Sequence, residues 1–259
     1  MASRFRMPRR IIDIHNHLGT GDDGSKIVKL MDAAKVERTV ILGLPRCPNE
    51  RILAAVRKFP NRLVGGVYVD PRRGRKAVDE IRRFHTEGFR IVKLFPNYGY
   101  YPDDRSVRPF FKKVADLGMA VLSHCGWLTT KETEVASYYS HPGRFEKLIR
   151  TFPDTVFILA HMGGIAGFLE SVMFTTRTPN TYVDCSPGQG LWVLRSGGTL
   201  AESIPPEKLV WGADSYDLPY LLKAYRAALV KRGYGVHLSK IFYANARGIL
   251  ERIGAIVGG

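Results

Sequence analysis

The chain has 259 residues and a mass of 29.1 kDa, a length that suits one α/β barrel domain covering residues 1–259. An apolar fraction of 45% with a charged fraction of 24% is ordinary globular usage, and it excludes a disordered chain, a collagen-like repeat and a coiled coil. The net charge of +15 indicates either a solvated basic surface or a nucleic-acid site, and its field could also draw an anionic substrate towards a cleft.

Three further observations concern the compartment. No apolar run approaches the roughly 18 residues of a transmembrane helix. The basic start MASRFRMPRR is not followed by the apolar stretch of a secretory signal. Cys47, Cys125 and Cys185 are an odd number at wide spacings, which favours a reducing environment over a disulfide framework. We therefore expect a soluble, cytoplasmic protein without a membrane partner.

Eight short apolar runs, rich in β-branched residues, recur along the chain. Each is nearly continuous, as expected of a parallel strand that is covered on both faces. The runs span residues 10–17, 38–44, 62–70, 90–96, 119–126, 155–164, 181–186 and 208–215. Helical periodicity marks the connections 48–59, 76–84, 110–117, 219–231 and 239–253, with Gly118 as a C-terminal cap and only a weak helix within 187–206.

Strands that alternate with helices in this way predict a (β/α)₈ TIM barrel, a single domain that could be distorted. A doubly wound open sheet is the alternative. It usually has fewer strands, and no GxGxxG follows the first run here. In a barrel, the chemistry lies at the carboxyl ends of the strands.

Polar residues stand at the predicted carboxyl ends of five strands. They are Asp13, His15 and His17 on the first, Lys93 on the fourth, His124 on the fifth, His161 on the sixth and Asp214 on the eighth. Because side chains two apart share a face of a strand, His15 and His17 can bind one ion, and imidazoles with a carboxylate suit zinc. Asp13 lies deeper, so we expect it to be structural or to support a ligand.

Each of these residues also has an ordinary structural interpretation. Taken singly, His161 could be a core histidine, Asp214 a helix cap and Lys93 a residue that reaches the rim. So many polar groups on separate strands would be costly to bury without a common partner. Together they favour a shared metal site.

The sequence resembles the amidohydrolase superfamily of metal-dependent barrels. It is most similar to the branch that contains aminocarboxymuconate-semialdehyde decarboxylase and many predicted hydrolases. The similarity runs from residue 11 to residue 250 through IIDIHNHLG, GFRIVKLFP, VLSHCG, FPDTVFILAHMGG, YVDCS, LVWGADSYDLP and IFYANARGIL.

This resemblance implies one divalent metal ion, which we expect to be Zn²⁺, held by His15, His17, His124 and Asp214. His161 would stand beside it as acid or base. In binuclear relatives the strand-four lysine is carbamylated and bridges two ions, with the strand-five and strand-six histidines on the second. Lys93 and His161 are therefore further candidate ligands, and two ions are expected if Lys93 is carbamylated.

The activity implied is that of a metal-dependent hydrolase, in which a metal-activated water attacks the amide, lactone or ester carbonyl of a small carboxylated or cyclic substrate. Asp214 could take the proton of that water. A non-oxidative decarboxylase of an unsaturated or aromatic acid is the alternative, because the metal set is shared. A non-enzymatic metal protein is disfavoured, since structural zinc sites are closed.

A metal-dependent nuclease would fit the net charge of +15. Barrel nucleases of this superfamily usually carry a glutamate on strand four, where this chain has IVKLFP, so nucleic acid is not an expected partner.

We expect an anionic small molecule as the substrate, and a homodimer is also considered. Arg46, just after the second strand, could hold a substrate carboxylate. Tyr98 and Trp127 lie in the loops after strands four and five, whose aromatic residues either form the walls of the pocket or simply cover the barrel.

Overall fold

Eight parallel strands form one sheet whose order follows the chain, so that each strand pairs with the next along the sequence. The computed structural model describes residues 5–128 and 135–257. The strands are β1 (Ile12–Asn16), β2 (Arg38–Leu42), β3 (Leu63–Tyr68), β4 (Ile91–Leu94), β5 (Ala120–Ser123), β6 (Phe157–Leu159), β7 (Thr181–Asp184) and β8 (Leu209–Val210). With helices between the strands, the predicted (β/α)₈ barrel is confirmed.

Helices occupy all the connections for which the sequence predicted them. The helices are α1 (Ser25–Ala34), α2 (Asn49–Lys58), α3 (Arg75–Thr86), α4 (Arg108–Asp116), α5 (Glu146–Thr151), α6 (Phe168–Arg177), α7 (Gln189–Ser196), α8 (Leu218–Lys231) and α9 (Asn245–Arg252). Of these, α1, α5 and α6 lie in connections for which no helix bounds were predicted. A π-helical turn, Lys240–Ala244, precedes α9. Gly118 caps α4 with a φ of 63°, as predicted. Within the two described ranges, no helix combines the length and the apolar character needed to cross a bilayer.

Alternation along the strands separates two apolar clusters. Ile91 and Leu122 belong to one cluster, which joins alternate residues of most strands, whereas the intervening Val92 packs in the cluster that includes the helices. Side chains two residues apart share a face of a strand. The side chain of Lys93 therefore points into the interior of the barrel, as that of Ile91 does, and His124 points the same way as Leu122.

β1 departs from this alternation. Its pairing with β2 shifts by one residue between Asp13 and Asn16, an irregularity of the kind that redirects a side chain. Ile14 packs in the interior cluster, yet the next residue, His15, also lines the interior cavity. His15 and His17 thus reach one cavity with the help of a bulge, and not through the two-residue period alone.

The barrel is nearly closed, with a seam between β8 and β1. Two backbone hydrogen bonds join the chain at this seam, from the amide of Ile14 to the carbonyl of Trp211 at 3.1 Å and from the amide of Asp214 to the carbonyl of His15 at 2.7 Å. The chain segments at the first and last strands therefore meet at His15 and Asp214, which are two of the predicted metal ligands.

The fully buried carboxylate of Asp13 links the two sides of the seam. Its Oδ1 accepts from the backbone amides of Ala213 at 2.8 Å and His15 at 3.1 Å, and its Oδ2 accepts from the Asn16 side chain at 2.9 Å. A Cβ atom added at Gly212 would lie 2.7 Å from Cβ of His15, so the close approach needs glycine there. These contacts agree with the structural role expected of Asp13.

All eight strands are shorter than the predicted runs, and β6 and β8 are shortened most. Strands over 155–164 and 208–215 were expected, but β6 ends at Leu159 and β8 ends at Val210. Soon after β6 the backbone enters the left-handed region at His161 and Met162, with φ of 55° and 56°, which breaks the extended conformation. After β8 the chain bonds to β1 through isolated contacts instead of a regular ladder.

Candidate metal centre and active-site cavity

Three side chains from the two ends of the sheet converge at the seam. Nε2 of His17 lies 3.6 Å from Oδ1 of Asp214, and Nε2 of His15 lies 3.9 Å from the same oxygen. Candidate ligand atoms of all three lie within 4.8 Å of one another. Asp214 reaches this point from a backbone with a φ of 41°, which is strained for a non-glycine residue. This cluster could hold a divalent ion.

Hydrogen bonds on the far side of each ring set which nitrogen faces the cluster. Nδ1 of His15 lies 2.9 Å from Oδ2 of Asp184, and Nδ1 of His17 lies 2.8 Å from the carbonyl oxygen of Leu42. Because a carboxylate and a carbonyl only accept, both Nδ1 atoms carry the proton. In a ring that is protonated at Nδ1 alone, the Nε2 lone pair points towards the cluster, as metal ligation requires.

The protonation states of the cluster suit a cation. Burial lowers the pKa of His17 to about 3, although the charge of Asp214 works in the opposite direction. Burial acts in the other direction on Asp214 and favours a higher pKa. The interaction with His15 and His17 outweighs burial, so the pKa of this carboxyl lies below its usual value. At neutral pH the His17 ring is therefore neutral and Asp214 is ionised.

Lys93, fully buried on β4, points at the same cluster. Its Nζ lies 3.0 Å from Nε2 of His15 and 4.7 Å from the centre of the Phe95 ring. Burial lowers the pKa of Lys93 to about 8, so the ammonium form predominates at neutral pH. The role of Lys93 as a carbamylated bridging ligand stays a prediction.

His124 and His161 form a pair beside this cluster. Nε2 of His161 lies 3.1 Å from Nδ1 of His124, and Nε2 of His124 lies 3.2 Å from the carbonyl oxygen of Trp127. Burial lowers the pKa of His161 to about 4 and that of His124 well below its usual value. Among the described residues, the compact ligand group does not include His124. The ligand role of His124 and the acid–base role of His161 stay predictions.

β7 and the residues after it contribute Asp184 and Ser186, to which the sequence prediction gives no role. Oδ1 of Asp184 accepts from the amides of Ser186 at 2.8 Å and His161 at 3.2 Å, and from the Ser186 hydroxyl. Burial would raise the pKa of Asp184, but His15, His161 and Ser186 hold it below its usual value. A polar pair two residues apart at a strand end is the same signal that marks His15 and His17, and it could have been recognised in TYVDCS.

A cavity of about 480 Å³ lies over these groups, within the range of roughly 300–1,000 Å³ typical of small-molecule sites. Its described wall consists of His15, His17, Leu44, Lys93, Phe95, His124, Trp127, Leu128, His161, Pro187, Gly188, Gln189, Asp214 and Ser215. Oε1 of Gln189 accepts from the amides of Trp127 at 3.1 Å and Ile165 at 3.2 Å. The loops after β5 and β6 are therefore held together at the rim.

A family model described as amidohydrolase matches residues 12–251, a range that takes in all eight strands and the whole cluster. The chain belongs to the amidohydrolase family. This result confirms the resemblance stated from the sequence motifs. No curated protein matches the chain.

Solved structures share the fold of this amidohydrolase. An uncharacterised TIM-barrel protein from Bordetella bronchiseptica matches with a TM-score of 0.70 and 19% identity, over 95% of this chain and 99% of that one. The probable 2-pyrone-4,6-dicarboxylic acid hydrolase of Acinetobacter baumannii, solved with citric acid, matches with a TM-score of 0.67 and 16% identity, over 94% of this chain and 99% of that one. A 2,6-dihydroxybenzoate decarboxylase, in complex with 2,6-dihydroxybenzoate, matches with a TM-score of 0.68 and 17% identity, over 93% of this chain and 99% of that one.

The three residues predicted to touch substrate lie in different parts of the amidohydrolase. Trp127 lines the main cavity and is 69% exposed. Arg46 lines a separate cavity of about 300 Å³. Tyr98 has its ring centre 6.4 Å from that of Phe95, and it is not among the described residues of the main wall. Part of the predicted aromatic loop, 129–134, lies outside the described residues. All three substrate contacts stay predictions.

Proposed function

We propose that this amidohydrolase is a metal-dependent hydrolase that opens the ester or amide of a small, cyclic or aromatic carboxylic acid. One observation carries the proposal: the Nε2 atoms of His15 and His17 and the carboxylate of Asp214 face one point in the wall of an open cavity. Structural zinc sites are closed, whereas catalytic sites keep an open position.

The donor set fits a divalent ion, and zinc is our choice because two imidazoles and a carboxylate are typical zinc ligands. Such an ion supplies polarisation of a carbonyl and a lowered pKa for water. The side chain of Asp214 is 28% exposed, so its second oxygen can accept a proton from a molecule in the cavity. Asp214 can return that proton to the leaving group, and His161 is our candidate for a second acid or base at this step.

The charge of the cavity supports an anionic substrate. The Lys93 ammonium and several imidazoles line it, and Asp214 is the carboxylate among its described wall residues. Burying a cation without a partner is unfavourable, so a substrate carboxylate beside Lys93 would be stabilised. The solved neighbours are named for 2-pyrone-4,6-dicarboxylic acid and 2,6-dihydroxybenzoate, and both are small ring acids. We therefore propose ring carboxylic acids and their lactones as the substrate class.

A decarboxylase of an aromatic acid is the second candidate. It is favoured by the overall likeness to a 2,6-dihydroxybenzoate decarboxylase, at a TM-score close to that of the hydrolase. In that reaction His161 or Asp214 would deliver a proton to the ring carbon that loses CO₂.

A nuclease finds less support. Basic residues on and beside α3 are paired with acidic neighbours at the surface, which lowers the free positive charge offered to a polyanion. These pairs are Arg72 with Asp70 at 2.7 Å, Arg73 with Glu80 at 2.6 Å and Arg83 with Glu50 at 2.8 Å.

The test uses the full chain loaded with Zn²⁺ and, separately, with Mn²⁺. One panel contains lactones with a ring carboxylate, and the other contains hydroxylated benzoic acids. Acid release without CO₂ supports the hydrolase, whereas CO₂ evolution supports the decarboxylase. The double variant His15→Ala, His17→Ala is the control and should be inactive on both panels. Inactivity of the loaded native chain on both would contradict the proposal.

A further inference from the structure

Asp184 lies where two parts of the site meet. Its two carboxylate oxygens have separate partners: Oδ2 lies 2.9 Å from Nδ1 of His15, and Oδ1 accepts from the amides of His161 and Ser186. The residue is fully buried at the end of β7. One side chain therefore contacts both a candidate metal ligand and the turn that carries the candidate acid–base histidine.

The Oδ2 contact determines the tautomer of His15. An ionised carboxylate is an acceptor only, so Nδ1 of His15 must donate to it and Nε2 keeps its lone pair. Nε2 is the atom that faces His17, Asp214 and the ammonium of Lys93. The Lys93 ammonium can only donate, so its 3.0 Å contact with Nε2 favours the same tautomer as the carboxylate does at Nδ1.

The Oδ1 contacts support an unusual piece of backbone. His161 has a φ of 55°, a left-handed conformation that is costly for a residue with a side chain. Its amide points to Oδ1 of Asp184 at 3.2 Å, and the Ser186 hydroxyl that Oδ1 also binds lies 2.8 Å from Nδ1 of His161. The carboxylate of Asp184 thus contacts the turn through the backbone amide of His161, and it contacts the imidazole ring of His161 indirectly, through the Ser186 hydroxyl.

We propose that Asp184 is a positioning residue that fixes His15 as the Nδ1–H tautomer and so presents its Nε2 lone pair to the metal ion. This inference rests on the proposed function only in naming a metal as the partner of that lone pair. The tautomer itself is a property of the chain without any ion. Outer carboxylates that hold ligating histidines typically change metal affinity by about 10–100-fold when removed.

Asp184→Asn is the informative variant because it keeps the shape of the side chain. Three donors meet at Oδ1, so the amide oxygen will take that place and the NH₂ group will face Nδ1 of His15. Nδ1 must then become the acceptor, and the proton moves to Nε2, where the ion has to bind. The Lys93 ammonium, which donates to Nε2 in the native chain, must then move away from that atom or lose its proton. Ser186→Ala is the matched control, because it removes a partner of Oδ1 and a longer, 3.4 Å contact of the hydroxyl with Nδ1 of His15, but keeps the Asp184 carboxylate 2.9 Å from that nitrogen.

The experiment uses the metal-free full chain labelled with ¹⁵N-histidine, followed by Zn²⁺ titration against a chelating dye. In the native chain, ¹⁵N NMR should find His15 protonated at Nδ1. In Asp184→Asn it should be protonated at Nε2, and the Zn²⁺ dissociation constant should rise by about 10–100-fold. Ser186→Ala should keep the Nδ1–H form and a dissociation constant within about threefold of native, well below a tenfold change.

Two results would overturn the inference: an Nε2–H tautomer of His15 in the native chain, or an unchanged tautomer in a folded Asp184→Asn variant. The measurement on the native chain needs no variant, so the inference stays testable if Asp184→Asn does not fold. Failure of the proposed function looks different. The tautomer would switch as expected while the Zn²⁺-loaded native chain has no activity on either substrate panel.

Discussion

The ammonium group of Lys93 lies 3.0 Å from Nε2 of His15, the ring atom that also faces His17 and Asp214. Because Nδ1 of His15 donates to Asp184, Nε2 is the acceptor in this contact. A lysine and a metal ion would therefore compete for one lone pair. Binding of an ion requires the ammonium to move away or to lose its proton.

We expect Lys93→Met to bind Zn²⁺ about tenfold more tightly than the native chain, which corresponds to about 1.4 kcal/mol. The physical reason is that a buried positive charge and its hydrogen bond to His15 no longer oppose the ion. Chelator competition measures the affinity, and the exposed Lys29→Met is the control for a lost surface charge. Loss of metal from Lys93→Met, with recovery of activity in bicarbonate or short-chain acids, would instead indicate a carbamate-bridged binuclear site.

The double variant His15→Ala, His17→Ala should lose its metal while its circular dichroism stays native. Both rings project from the end of β1 into a cavity, so their removal leaves the apolar clusters unchanged. Elemental analysis of the purified chain, expected to fall from about one ion per chain to a trace, checks this. Replacing His85 and His237, which lie outside the cavity, should leave the metal content as it was. Stoichiometric metal in the double variant would contradict the assignment of His15 and His17 as metal ligands.

His161→Asn should keep the metal and lower kcat by about 10²–10⁴-fold, the usual contribution of a general acid or base. Asparagine retains a polar group near Ser186 and His124 but cannot transfer a proton. Kinetics on whichever substrate panel is active, together with metal analysis, distinguish the outcomes. A rise in KM alone would make His161 a substrate-binding residue. Metal loss would make it a ligand, and no change would leave it a core histidine.

Asp13→Ala should destabilise the fold by about 2–4 kcal/mol, since two buried backbone amides lose their acceptor. Those amides belong to Ala213 and His15, on opposite sides of the seam. Urea unfolding followed by circular dichroism gives the change, with the exposed Asp116→Ala as the control. A loss below about 0.5 kcal/mol, typical of surface substitutions, would show that the seam does not depend on this carboxylate.

The periodicity of the sequence was enough to predict the barrel and three of its central residues. Continuous apolar runs mark parallel strands because both faces of each strand are covered. The spacing of His15 and His17 and the position of Asp214 near the last predicted strand indicated that the three residues converge, and in the structure a bulge in β1 contributes to that convergence. The weak helix predicted within 187–206 is also present, as α7.

The remaining features depend on contacts that local patterns do not encode. Asp184 has its role because one oxygen meets a ring from β1 and the other meets an amide after β6. That combination requires the closed barrel, in which the ends of β7 and β1 come together. Likewise, β8 ends at Val210 because the residues after it bond to β1 through isolated contacts instead of a regular ladder, which the segment 208–215 alone does not reveal.

The seam also determines when the cluster can exist during synthesis. His15 and His17 emerge from the ribosome near the start of translation, whereas Asp214 follows the last strand, β8. At about 5–20 residues per second, the histidines wait roughly 10–40 s for their carboxylate. A nascent chain therefore carries two of the candidate ligands, the imidazoles, without the third candidate ligand until β8 docks against β1. If these three residues bind a metal ion, stable binding of that ion would then indicate that the whole barrel has been synthesised and that its seam has closed.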